Sequence, residues 1–170
     1  PGMTLALSLG LLDAKYTKFT EPDISGCVPG EICVPVDVDI SYLKLRRAPK
    51  ITATFTPSYE WTAGAGTASV QASWHYISAL ELTFYNSPQS HNPAQNIVDA
   101  SVNYQYNKTT FSLFGSNLTD EDSWSQAYDV GTSRTFAGLW TYGTTRPPRT
   151  YGVRVSHKFC PRARSARGST

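Results

Sequence analysis

The sequence predicts an all-β fold, an antiparallel up-and-down meander of about six long strands, and three observations carry that prediction. Charged residues make up only 16% of the chain and aromatics 12%, with ten Tyr and four Trp. Thr, Ser, Val, Tyr and Gly are plentiful, whereas the Ala, Leu, Glu and Lys of a helical protein do not dominate. Apolar and polar residues alternate with a period of two through most of the chain, which places them on opposite faces of extended segments. The connections between these segments alternate between long and short. With 170 residues and no charge block or low-complexity linker, the chain is long enough for one domain.

The first strand lies within residues 4–19, where Leu5, Leu7, Leu9 and Leu11 share one face and Thr4, Ala6, Ser8 and Gly10 the other. It lacks the basic leader of a signal peptide, and its leucines alternate instead of forming a block. Residues 21–47, with Pro22, Pro29 and Pro35, read as a long loop carrying a short hairpin near 34–45. Within it Cys27 and Cys33 are close enough in sequence for a small disulfide ring in an oxidising compartment, with free thiols as the alternative. Without nearby His or further Cys they make a poor zinc site. No metal or cofactor is expected elsewhere in the chain.

After Ala48 and Pro49, Ile51, Ala53, Phe55, Pro57, Tyr59 and Trp61 alternate with Thr52, Thr54, Thr56, Ser58 and Glu60. A short turn at 62–66 leads into residues 67–85, which continue the alternation as one strand of nearly twenty residues. Its apolar face includes Val70, Trp74, Leu80 and Leu82, its polar face Gln71, His75 and Glu81. Residues 86–96 read as a loop. Val98, Ala100, Val102, Tyr104 and Tyr106 then alternate with Asp99, Ser101, Asn103 and Gln105. Asn107 and Lys108 turn the chain into a return strand at 109–118, where Phe114 breaks the alternation by falling on the polar face. A second very long loop covers 120–146. The last strand, 149–159, sets Tyr151, Val153, Val155, His157 and Phe159 against Gly152, Arg154, Ser156 and Lys158.

Long loops at 21–47, 86–96 and 120–146 separated by short turns at 62–66 and 107–108 are the asymmetry of an up-and-down transmembrane barrel. The meander is therefore read as part of a transmembrane β-barrel. A strand tilted across a membrane needs about ten residues in lipid. No run of eighteen apolar residues exists, so a transmembrane helix is not expected. The net charge of +2 includes Arg162, Arg164 and Arg167, and removing those three leaves about −1, so no basic patch for nucleic acid is expected. The alternative is a soluble all-β binding module, sandwich-like, in which the apolar faces meet each other. An enzyme is not expected, because no motif surrounds His75, His91 or His157, and Glu60, Glu81 and Asp99 lie on polar faces.

Several stretches together resemble the C-terminal part of the barrel of a TonB-dependent outer-membrane receptor. They are Gly10-Leu11-Leu12-Asp13-Ala14-Lys15-Tyr16, Arg47-Ala48-Pro49-Lys50 and Val98-Asp99-Ala100-Ser101-Val102-Asn103-Tyr104. More specific are Ser112-Leu113-Phe114-Gly115-Ser116-Asn117-Leu118-Thr119-Asp120-Glu121, similar to the family's penultimate strand, and Pro148-Arg149-Thr150-Tyr151-Gly152-Val153 through Phe159, similar to its final strand. The resemblance implies a barrel of roughly 22 strands around an N-terminal plug, in the outer membrane of a Gram-negative bacterium. It implies import of an iron chelate or another large nutrient, driven through the plug by an energy-coupling inner-membrane protein. These 170 residues contain no plug and cannot close such a barrel, so the chain looks like a fragment inactive alone.

On this reading residues 1–159 are the C-terminal segment of a transmembrane β-barrel and 160–170 an unstructured basic tail. The outward faces would meet outer-membrane lipid. Gly152, Val155 and Phe159 resemble the signal read by the barrel-assembly machinery. Trp124, Tyr128, Arg134, Trp140 and Tyr142 are the candidate contacts to a nutrient from the extracellular side, since amphipathic rings and guanidinium groups suit an anionic or chelated ligand.

Overall fold

A computed structural model describes residues 2–24, 26–27, 32–130 and 140–159 of the chain. Among the described residues, twelve strands and a 3-10 turn at Pro88–Ser90 account for the regular structure. The strands are β1 Gly2–Leu11, β2 Thr20–Asp23, β3 Val36–Asp39, β4 Ile51–Ala63, β5 Gly66–Ile77, β6 Leu80–Glu81, β7 His91–Asn92, β8 Gln95–Tyr106, β9 Thr109–Ser116, β10 Trp124–Val130, β11 Trp140–Thr145 and β12 Thr150–His157. The fold is all-β and antiparallel. Six strands form one sheet in the order β1-β4-β5-β8-β9-β12, and three two-stranded pairs, β2-β3, β6-β7 and β10-β11, stand apart from it. The sheet is open: β1 and β12 are its edges, and no closed barrel forms among the described residues.

The period-two pattern of the sequence becomes lateral rows across the sheet. Met3, Tyr59, Val70, Val102, Leu113 and Val153 stand opposite one another in turn, a row six strands wide. One residue further along, Glu60, Ser69, Asn103, Ser112 and Arg154 form the corresponding row of the other face. A slip of one residue at any strand would mix the two faces, so the pattern fixes the register. Two tight turns hold it. Gly64 and Asn107, at φ of 59° and 52°, take the left-handed conformation that two-residue hairpins demand.

The apolar face is bare. Leu7 is 74% exposed at one edge, Val153 75% at the other, and even Val102 in the interior of the sheet is 48% exposed. Among the described residues the buried apolar side chains are Ile40, Ala68, Leu82, Ile97 and Ala127, of which Ile40, Leu82 and Ala127 lie outside the main sheet. Among the described residues, no second sheet packs on this face, so the two layers of a sandwich are not formed.

Several boundaries differ from the sequence expectation. The segment at 67–85 is not one strand, because β5 ends at Ile77 and residues 78–94 form a connection with the small β6-β7 pair. Ser78 ends the strand: its N–H bonds the Ile51 carbonyl and its hydroxyl accepts the Ile51 N–H, closing the β4-β5 ladder. Glu81 accordingly leaves the polar face of the sheet and is buried in the connection. The hairpin of the first loop pairs Thr20–Asp23 with Val36–Asp39, further apart than 34–45 suggested. Phe114, the exception on β9, lies against Gly152 and leaves no room there for a β-carbon, while the Arg154 guanidinium sits 5.4 Å from its ring centre. Its aromatic ring thus covers backbone that a glycine leaves open. The tail at 160–170 lies outside the described residues.

Candidate functional site

The strand directions bring all three long connections to the same end of the sheet, and there they fold onto one another. The first meets the second through Lys44, whose Nζ is 3.1 Å from Glu81 Oε1, with His91 Nδ1 on the same oxygen at 3.0 Å. The Asn86 side chain, on a residue at φ 51°, accepts the Lys44 N–H and donates to its carbonyl. The Tyr85 hydroxyl donates to Glu21 Oε1 at 2.5 Å, tying the β2-β3 hairpin to the second connection. The second meets the third where Asn92 makes both backbone bonds of Trp124, at 2.8 and 3.2 Å, and where Ser87 donates to Asp129 at 2.9 Å.

These ties surround a cavity of about 340 Å³ lined by Arg46, Leu82, Thr83, Phe84, Tyr85, Ala127, Tyr128 and Asp129. The Arg46 guanidinium carbon lies over the Phe84 ring, 4.1 Å from its centre. This pairing presents a planar cation on an apolar platform. Burial, reinforced by the hydrogen bond to Glu21 and by the Glu21 and Asp129 charges, pushes the Tyr85 phenol up to about 12. One oxygen of each carboxylate, Glu21 Oε2 and Asp129 Oδ2, is shut off from solvent without a hydrogen-bond donor. In the β2-β3 hairpin, the side-chain and backbone hydrogen bonds from Ser41 hold the Asp39 carboxyl below its usual range.

Of the five contact residues expected from the sequence, the structure brings three together. Tyr128 and Tyr142 face each other across β10-β11 with ring centres 5.4 Å apart, and Trp140 extends the row at 6.0 Å from Tyr142, its ring tilted by 39°. All three are exposed, and Tyr128 also lines the cavity, so ladder and cavity adjoin. Trp124 differs: both of its backbone groups are held by Asn92, and it anchors the hairpin. Arg134 lies outside the described residues. Arg46, Phe84, Tyr85 and Asp129 were missed, because they come from three different connections, Phe84 and Tyr85 sharing the second, and only the fold makes them neighbours. Chemically, the arrangement offers stacking, a delocalised cation, a phenol and carboxylates, the means of non-covalent recognition. Among the described residues no three His, Cys, Asp or Glu side chains converge as metal ligands.

The remaining candidates are dispersed. Cys27 and Cys33 are joined in a disulfide with Cα atoms 5.2 Å apart. Gly152 packs against Phe114, Val155 stands exposed opposite Phe111, and Phe159 is exposed with the His157 ring edge-on at 4.6 Å. On the polar face, Ser73 Oγ lies 2.9 Å and Asp99 Oδ2 4.0 Å from the same nitrogen of His75, while Thr54 takes the other at 3.2 Å. The acid therefore does not hold the far nitrogen, as a nucleophile relay requires.

The segment 117–121 forms a corner knot. Asn117, buried at φ 51°, accepts the Glu121 N–H at 2.8 Å and donates to the carbonyls of Glu121 and Pro147, both at 3.1 Å. Asp99 accepts the Asn117 N–H and the Ser116 hydroxyl, and Arg149 pairs with Asp120 at 3.1 Å. The ends of β8, β9 and β12 are thereby bound into one rim. No protein-family model, curated protein or solved structure matches the chain.

Proposed function

We propose that the chain is a wall segment of a transmembrane barrel in the outer membrane of a Gram-negative bacterium, part of a receptor of the TonB-dependent kind that imports an iron chelate or another large nutrient. The observation that carries this reading is the single sheet whose apolar face stays exposed across six strands while all long connections gather at one end. A water-soluble domain hides such a surface; lipid covers it without a second protein layer.

The dimensions agree. β5 and β8 are twelve residues each, about 40 Å at roughly 3.3 Å per residue. At a tilt of about 45° they span ~28 Å, close to the ~25 Å apolar band of outer-membrane barrels. Aromatic pairs mark both ends of the face: Tyr59 and Trp61, 5.6 Å apart, near the short turns, and Trp74 and Tyr76, 6.1 Å apart, towards the loops. Such rings favour the two interfaces of a bilayer. The polar face, with Glu60, His75, Asp99 and Arg154, then lines the lumen, where a plug coupled to the inner membrane would sit. The loop cap, with its aromatic ladder and Arg46-Phe84 platform, faces outward as the nutrient-contacting surface. Assembly would engage the barrel-assembly machinery through Gly152, Val155 and Phe159.

The test is fluorescence of the chain refolded with neutral phosphatidylcholine vesicles whose acyl chains carry bromine. Quenching of Trp61 and Trp74, compared with W61F and W74F variants, is expected. A monomer that stays in plain buffer at high concentration with no quenching would overturn the membrane reading. For the receptor role, an iron chelate should quench Trp140, and the response should vanish in Y128A/Y142A; no response to any chelate class removes that part alone.

A further inference from the structure

The apolar face does not end abruptly at its short-turn end. Its last row is Tyr106, Thr109 and His157, set opposite one another across β8, β9 and β12. All three carry polar atoms, and the Thr109 hydroxyl is 2.8 Å from His157 Nδ1, leaving Nε2 as the ring's remaining polar atom. The rows behind it, Tyr104-Phe111-Val155 and Val102-Leu113-Val153, are exposed and apolar apart from the Tyr104 hydroxyl, which donates to Ala63. A hollow of about 550 Å³ opens at this row, lined by Tyr106, Asn107, Lys108, Thr109 and His157. Lys108 is exposed and forms no ion pair among the described residues.

We propose that this hollow binds the phosphate headgroup of an anionic phospholipid, with an acyl chain lying along the rows behind it. The two-part surface selects the occupant. A free phosphate has no use for the apolar rows, and a zwitterionic lipid brings a cation of its own that offsets the attraction of its phosphate for Lys108. The Tyr106 hydroxyl, one outward N–H or O–H of the bonded Thr109-His157 pair and the Lys108 ammonium supply donors at one level of the face, where a headgroup meets the hydrocarbon. The inference rests on the membrane reading above and adds a lipid preference to it.

The experiment is flotation of the full chain with phosphatidylcholine vesicles, and with vesicles in which part of that lipid is replaced by phosphatidylglycerol. The parent should partition about fivefold more strongly into the anionic vesicles, the share of one lysine near an anionic surface. K108Q should lose that preference and K108R keep it, while K15Q, which removes the same charge from an exposed residue at the loop end, should leave it unchanged. Equal flotation with both vesicle types, or an equal loss in K15Q and K108Q, overturns the headgroup site and leaves the membrane reading standing. Failure to float with either overturns both.

Discussion

Asn117 offers the most demanding check on the corner knot. Besides a long hydrogen bond from the Thr119 hydroxyl at 3.5 Å, its side chain accepts one at 2.8 Å and donates two at 3.1 Å, all from a residue 4% exposed. Removing them at about 1 kcal/mol each costs about 3 kcal/mol, because the Glu121 N–H and the Pro147 carbonyl lose their partner. Asn117→Ala adds the strain of an L-residue at φ 51°, about 1 kcal/mol more, for a total near 4 kcal/mol. Asn117→Gly loses the same bonds without that strain and should fall near 3 kcal/mol. Unfolding of the chain in detergent, with hydrogen exchange at the Glu121 amide as the local readout, measures both. The expected order is parent, then Gly, then Ala, with Glu121 deprotected in both variants. Variants within about 1 kcal/mol of the parent, with Glu121 still protected, would refute the knot.

Three further outcomes are expected. Glu81→Gln should cost under about 1 kcal/mol because Lys44 is 72% exposed and its charge is screened. Glu81→Ala, which removes a buried side chain along with the acceptor that Lys44 and His91 share, should cost about 2 kcal/mol and hasten proteolysis within 78–94; equal cleavage of both variants would contradict the assignment. The Tyr85 phenol, raised to about 12 from the ordinary value of 10, stays protonated in the folded chain while an unfolded one ionises. Its contribution is therefore full below pH 10 and lost as pH rises towards 12. The tyrosinate absorbance difference between parent and Y85F should appear near pH 12 and move lower in E21Q, and an onset near 10 in the parent would count against the Glu21 tie. Reduction of the Cys27-Cys33 bridge, whose cysteines are six positions apart, should release about 2 kcal/mol of constraint. It should speed amide exchange in β2-β3 and leave β4-β5 unchanged; faster exchange throughout the sheet would show that the ring supports more than its own loop.

The sheet was legible because alternation with period two is a direct print of which side each residue faces, and β4, β8 and β12 alternate over most of their length. The end of β5 was not. Leu80, Glu81 and Leu82 continue the alternation, but the chain leaves the sheet at Ser78, which closes the ladder with Ile51, and pattern carries no record of that. The aromatic ladder could be sensed from the density of rings in one loop, whereas the cavity could not. Arg46, Phe84 and Asp129 are drawn together by hydrogen bonds between connections distant in sequence. Phe114 breaks the alternation because it covers Gly152 on the neighbouring strand, a pairing that depends on strand register.

The order of strands in the sheet follows their order in the chain, and two of the five joints close through only two residues, at Gly64 and Asn107. Closing a two-residue loop costs little chain entropy, while the other three joints, residues 12–50, 78–94 and 117–149, must first gather much longer stretches. The sheet should therefore assemble from two quickly formed hairpins, β4-β5 and β8-β9, each offering an edge on which the next piece aligns. Pulsed amide labelling during refolding would show those two pairs protected first, with β1 and β12 last. Simultaneous protection of all six would mean that the slow gathering of the loops, and not the growth of the sheet, sets the pace.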